Sequence, residues 1–60
     1  GRRTILEQEL ANEQQALASA QNELSAARAQ KNQNRASQLT ANIQDRRQNI
    51  QALQRELSRM

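Results

Sequence analysis

Two glutamates one helical turn apart, Glu9 and Glu13, have the spacing in this chain that comes closest to a catalytic arrangement. Paired carboxylates act as general acid and general base only in a cleft that excludes water and keeps one of them protonated. With 35% hydrophobic residues and no aromatic side chain, 60 residues cannot enclose such a cleft. We therefore predict that these two carboxylates are solvated surface groups.

Other catalytic and ligand chemistry lacks the residues that it needs. Hydroxyl nucleophiles require a neighbouring base, and the chain contains no histidine that could activate a serine or threonine. Zinc sites use cysteine or histidine, and both are missing; the single glycine, Gly1, cannot form a phosphate-binding loop. The sequence thus predicts a protein that is not an enzyme and that takes no cofactor, metal or small-molecule substrate.

The basic residues leave one binding chemistry open. Residues 1–30 carry a net charge of −1, whereas residues 31–60 carry six cations and two acids, a net charge of +4. The cations of the second half are Lys31, Arg35, Arg46, Arg47, Arg55 and Arg59. They could contact the phosphates of a nucleic acid or another polyanion, which is our alternative function. The sequence disfavours nucleic acid as a partner, because the arginines are spread around the helix and no aromatic residue offers a stacking surface.

Apolar residues that recur every seven positions indicate the elements that must position these groups. The repeats are formed by Leu10, Leu17 and Leu24, and then by Ile43, Ile50 and Leu57. Such a period is typical of a coiled coil, whose interface is a narrow apolar seam. The predicted interface seam consists of Leu6, Leu10, Leu17, Ala20, Leu24, Leu39, Ile43, Ile50, Leu53 and Leu57. The same stripes also include Ala27, Ala36 and Met60.

The two repeats are out of frame with each other, which favours a chain reversal between them. Leu24 and Leu39 are fifteen positions apart, a spacing that one unbroken seam accepts only with a four-residue stutter. A turn near Lys31 and Asn32 removes the mismatch. We predict an all-α antiparallel helical hairpin, with one helix of about 60 residues and ~90 Å in an intermolecular coiled coil as the alternative.

We expect residues 1–60 to form a single coiled-coil segment of a larger protein, with a helix at 4–30, a turn at 31–34 and a helix at 35–59. Thr4 and Glu7 have the spacing of a capping box at the first helix start, and Asn34 is the candidate cap of the second. The longest apolar run is three residues, so we predict no membrane insertion.

Two charged residues, Glu13 and Arg46, interrupt the apolar stripes. They fall in adjacent layers of the predicted hairpin, close enough to form an ion pair that sets the register. In the other interpretation each side chain extends outward into solvent along a loosely packed seam. The sequence leaves both interpretations open.

Residues 6–17 (LEQELANEQQAL) and 47–57 (RQNIQALQREL) resemble the helical tail of small exported proteobacterial proteins of unknown function. In those proteins a signal peptide precedes a short β-rich module with cysteines, and a helical region of this type follows. The resemblance implies a periplasmic or cell-envelope location and no known catalytic residues. The cysteine-bearing module is missing from these 60 residues.

A narrow seam is too small to stabilise a lone chain of this length, because ordering each residue offsets most of what burial contributes. We therefore expect self-association, with an antiparallel four-helix arrangement as the preferred form. The predicted function is structural: oligomerisation or protein–protein interaction, with a second copy or another helical protein as the partner.

Overall fold

The computed structural model describes all 60 residues. They form two α-helices that are joined by a short turn and packed against each other in a hairpin. Helix α1 spans Arg2–Ala29 and helix α2 spans Gln33–Ser58. The molecule measures 44 × 14 × 11 Å. Its long dimension is that of one helix of this size, because an α-helix rises about 1.5 Å per residue. The predicted hairpin is confirmed, and the alternative of one continuous helix is wrong.

Helix α1 begins earlier than the capping-box pattern predicted. Gly1 is its N-cap and makes no side-chain cap hydrogen bond, while the amide of Ile5 donates to the carbonyl of Gly1 at 3.1 Å. Thr4 therefore lies within the first turn, and the predicted threonine cap is wrong. Arginine is a good helix former, so Arg2 and Arg3 extend the helix through the place where the threonine would have started it.

A Schellman motif closes α1, with Lys31 in the left-handed conformation at φ 57°. The amide of Asn32 donates to the carbonyl of Ala27 at 2.9 Å, and the amide of Lys31 donates to that of Arg28 at 3.0 Å. These two bonds satisfy carbonyls that the helix end would otherwise leave without partners. The tight reversal consists of Gln30, Lys31 and Asn32.

Asn32 also starts α2. Its Oδ1 accepts a hydrogen bond from the amide of Arg35 at 3.2 Å, and its carbonyl accepts from the amide of Ala36 at 3.0 Å. Asn34, the predicted cap, lies inside the first turn of α2 and is exposed. The prediction chose the wrong asparagine because the left-handed residue at position 31 ends α1 earlier than expected.

The core consists of one line of side chains between the helices. Five residues are buried: Ala20, Ala27, Leu39, Ile43 and Ile50. Met60, which the sequence placed at the end of the second stripe, is 50% exposed and lies beyond the end of α2 at Ser58. Neither helix combines the length and hydropathy that are needed to cross a lipid bilayer.

Candidate functional site

The candidate site is the interface seam together with the surfaces that flank it. Each of the ten predicted seam residues is buried or half-buried. The buried ones are Ala20, Leu39, Ile43 and Ile50, and the half-buried ones are Leu6, Leu10, Leu17, Leu24, Leu53 and Leu57. The heptad pattern brings these side chains to one line because positions three and four apart lie on the same face of a helix.

Glu13 and Arg46 meet across the seam. Arg46 donates from Nη1 to Oε2 of Glu13 at 3.0 Å, and its Nε donates to Oδ1 of Asn42 at 3.2 Å. The Glu13 side chain is 23% exposed and that of Arg46 is 37% exposed. Both charges are therefore partly withdrawn from water while each has a partner, which is how a charged pair is tolerated in a seam. The role of this pair in fixing the register stays a prediction.

A second interhelical ion pair lies nearer the turn, between Nη2 of Arg35 and Oε2 of Glu23 at 3.3 Å. Both side chains are more than half exposed, so the pair contributes little to stability. Sequence reasoning missed this pair and considered Arg35 only as a possible contact for a polyanion. The signal was present, because Glu23 and Arg35 both occupy the heptad position just before a residue of the apolar stripes, where coiled coils place their flanking charges.

These contacts define what we call the ion-pair edge, the side of the seam that carries Glu9, Ala16, Glu23, Arg35, Asn42 and Asn49. A shallow groove on this edge runs between the helices and is lined by Glu9, Asn12, Glu13, Asn49, Ala52 and Leu53. Ala16 is half-buried there, although the sequence stripes did not include it. Glu9 is exposed, as predicted, whereas Glu13 is half-buried and accepts a hydrogen bond from Arg46. The prediction that both carboxylates are solvated surface groups is therefore wrong for Glu13, because its heptad position places it in the seam.

The other side of the seam, which we call the opposite edge, carries the remaining flanking positions: Glu7, Gln14, Gln21, Arg28, Thr40, Arg47 and Gln54. Near the turn its shallow groove includes Arg28 from α1 and both Ala36 and Thr40 from α2, so the two helices are neighbours on this side as well. No ion pair between the helices lies on this edge. The two edges of the hairpin thus differ in their electrostatics.

The six cations predicted to contact a polyanion do not form one surface. Arg35 is bound to Glu23 and Arg46 is bound to Glu13, so two of the six are paired within the hairpin. The others are exposed and lie at the turn or along α2. The structure also brings together no group of three acidic, histidine or cysteine side chains that could hold a metal ion.

Comparison with known proteins gives one informative similarity. The chain is 56% identical over 63 aligned residues to the Type IV pilus assembly protein C of Neisseria gonorrhoeae (strain ATCC 700825 / FA 1090). The alignment covers 98% of this chain and 37% of that protein, so the chain spans little more than a third of its curated relative. No protein-family model matches the chain. No solved structure matches it significantly. The proteobacterial source of the relative agrees with the resemblance described above, and the module order of that resemblance stays a prediction.

Proposed function

We propose that this hairpin is a protein-interaction segment of a protein that takes part in the assembly of type IV pili, and that it has no catalytic role. The similarity to the Type IV pilus assembly protein C carries this proposal, because the alignment runs through both helices and the turn. It extends well beyond the leucine and isoleucine positions that any coiled coil would share.

The chemistry of the surface supports an interaction role. Gln, Asn, Ala and Arg dominate the outside of the hairpin. Only five residues are buried, and the other seam side chains are half-buried. A two-helix molecule of this kind gains stability when a further helix covers its seam, because removal of apolar surface from water is the main favourable contribution to association. The proposed partner is a second copy of the chain or another helical protein. The proposed location is the periplasm or cell envelope, in line with the exported proteins that the sequence resembles.

The function is tested in the full-length protein of the bacterium that encodes this chain. Replacing two buried seam residues together, Leu39→Asp and Ile43→Asp, places unpaired charges in the seam and should unfold the hairpin. We expect strong loss of surface pili, counted by electron microscopy. The matched control is Gln48→Asp, which adds a charge at an exposed position of the same helix and should leave piliation unchanged.

Immunoblotting must show equal amounts of the full-length protein in both strains, and circular dichroism of the purified chain must show that the double variant has lost its helices. Normal piliation in a strain whose hairpin is unfolded would overturn the proposed function. Loss of pili in the control strain as well would also count against it, because the effect would then not depend on the seam.

A further inference from the structure

The ion-pair edge contains two equivalent layers, and only one of them has a cation. Near the turn, Oε2 of Glu23 lies 3.3 Å from Nη2 of Arg35. Glu9 occupies the equivalent position two heptads earlier in α1, and Asn49 occupies the equivalent position two heptads later in α2. The antiparallel register brings Glu9 and Asn49 together, because both line the groove between the helices. Glu9 is exposed and forms no ion pair, so its layer lacks the cation that the other layer has.

This groove offers several hydrogen-bond acceptors. Oε2 of Glu13 accepts from Arg46, whereas Oε1 of Glu13 and both carboxylate oxygens of Glu9 have no donor in the protein. No buried polar side-chain atom lacks a hydrogen-bond partner, so Oε1 of Glu13 is accessible from the groove or the solvent around it. The amide side chains of Asn12 and Asn49 line the same groove. Its free groups therefore suit a ligand that donates several hydrogen bonds and carries positive charge.

The groove also has an apolar side, which is formed by Leu53 and Ala52 of α2. Leu53 is half-buried, and the small Ala52 beside it is exposed. A long basic side chain matches this combination, because its aliphatic part covers apolar surface while its charged end stays at polar groups. Arginine fits better than lysine, since its planar guanidinium has five donors in a fork that can serve more than one acceptor at once. The groove does not hold the three acidic side chains that would suggest a metal ion.

We propose that this groove receives an arginine side chain of a partner protein, which supplies the cation missing from the layer of Glu9 and Asn49. The aliphatic part of the arginine lies against Leu53, and its guanidinium donates to Glu9 and to Oε1 of Glu13. Glu9 provides the uncompensated charge, because the charge of Glu13 is already balanced by Arg46. This inference rests on the proposed interaction function and specifies the surface and the chemistry of the partner.

Binding is measured by titrating the isotope-labelled chain with N-acetyl-arginine-N′-methylamide and following the side-chain amide signals by NMR. The signals of Asn12 and Asn49 should shift and saturate with a dissociation constant of about 1 to 10 mM, as expected for a ligand this small. The same derivative of citrulline, which has the shape of arginine without its charge, should bind at least about fivefold more weakly. The lysine derivative should fall between the two. Equal affinity for the arginine and citrulline derivatives would overturn the proposed site.

A pair of neutral variants locates the binding charge. Glu9→Gln should weaken binding of the arginine derivative at least about fivefold, because it removes the uncompensated carboxylate. Glu7→Gln is the matched control: it removes the same charge from an exposed position on the opposite edge and should keep the dissociation constant within about twofold. Both residues are exposed, so both variants should keep their helices in circular dichroism. Glu9→Gln binding as tightly as Glu7→Gln would contradict the role of Glu9.

A third variant closes the site from within. Asn49→Arg places a cation on α2 where Arg35 lies in the equivalent layer, so it should pair with Glu9 and weaken the arginine derivative at least about tenfold. The matched control is Asn22→Arg, which adds the same charge at an exposed residue on the outer side of α1 and should change binding less than about twofold. If the two variants bound the derivative equally well, the groove would not be the site.

The same two variants connect the groove to the proposed function. In the full-length protein, Asn49→Arg should reduce the number of surface pili at least about twofold at equal protein amounts, whereas Asn22→Arg should leave it unchanged. Normal piliation with Asn49→Arg, together with loss of pili in the seam double variant, would overturn this inference and leave the interaction role intact. Normal piliation in the seam double variant would overturn the proposed function, and the titrations would then still decide whether the groove binds arginine.

Discussion

The half of the hairpin beside the turn is packed more tightly than the half that carries the chain ends. Four of the five buried residues, Ala20, Ala27, Leu39 and Ile43, belong to the half beside the turn. In the other half Ile5 is 59% exposed, and the leucines of both helices are only half-buried. The fifth buried residue, Ile50, and the Glu13–Arg46 pair lie near the middle of the hairpin, where the two halves meet.

The difference shows what buries a side chain when only two helices are present. With the chain reversing near Lys31 and Asn32, the heptads place Ala20 of α1 opposite Ile43 of α2 and Ala27 opposite Ala36. Two of the three layers nearest the turn thus contain an alanine of α1. A small residue lets the facing side chain lie against the helix backbone, where it is covered. Where a leucine lies opposite another leucine, at most one of the two is buried: Leu39 is buried opposite a half-buried Leu24 beside the turn, and near the chain ends both members of each pair are only half-buried. Burial here is therefore decided by the size of the facing residue as much as by the hydrophobicity of the buried one.

The largest expected effect tests this contrast with one substitution at two equivalent positions of α2. Leu39→Ala, in the tight half, should lower the free energy of unfolding by about 2 to 4 kcal/mol, whereas Leu53→Ala should cost roughly half as much. Leu39 is buried and Leu53 is half-buried, so the same truncation removes different amounts of contact. Urea unfolding at one protein concentration, followed by circular dichroism, measures both. Equal losses would show that the two halves do not differ in packing.

The charged pair between the halves should give the next largest effect. Replacing both residues, Glu13→Leu and Arg46→Leu, should raise the free energy of unfolding by about 1 to 2 kcal/mol, because leucines of similar size need no desolvation of charge. Either change alone should lower it by about 1 to 2 kcal/mol, since it leaves a half-buried charge without its partner. Urea unfolding of the four proteins gives the coupling energy. A double variant less stable than the natural chain would contradict this account.

The same variants test whether the pair sets the register. Spin labels on exposed Gln15 and Gln48 report the alignment of α1 and α2, because a slip of one heptad moves the helices by about 10 Å. The natural chain should show one distance, and the double leucine variant should show a broader distribution. A single distance in both proteins would mean that the turn alone determines the register.

The sequence was informative wherever heptad periodicity decides the structure, and less so at the ends of the helices. The stripes predicted the hairpin and placed Glu13 near Arg46, because spacing alone determines which residues share a face. The cap at Thr4 and the choice of Asn34 were wrong, since a helix end depends on backbone conformation. The chain has no internal glycine to mark the left-handed position, and lysine is an unusual occupant of it. The Glu23–Arg35 pair was missed although the heptad pattern contained its signal, because the prediction followed the apolar positions and not the charges beside them.

Replacing Lys31 gives the smallest expected effect and should stabilise the half of the hairpin beside the turn. Lys31→Gly should raise the free energy of unfolding by about 0.5 to 1 kcal/mol, because glycine has no Cβ to oppose a φ of 57°. The gain is smaller than the strain relieved, since glycine also loses more conformational freedom on folding. Lys31→Ala is the matched control: it removes the same charge, keeps the Cβ and should change stability little. If both variants were stabilised equally, the relevant cause would be the charge of Lys31 beside the turn, and the backbone strain at this residue would be too small to matter.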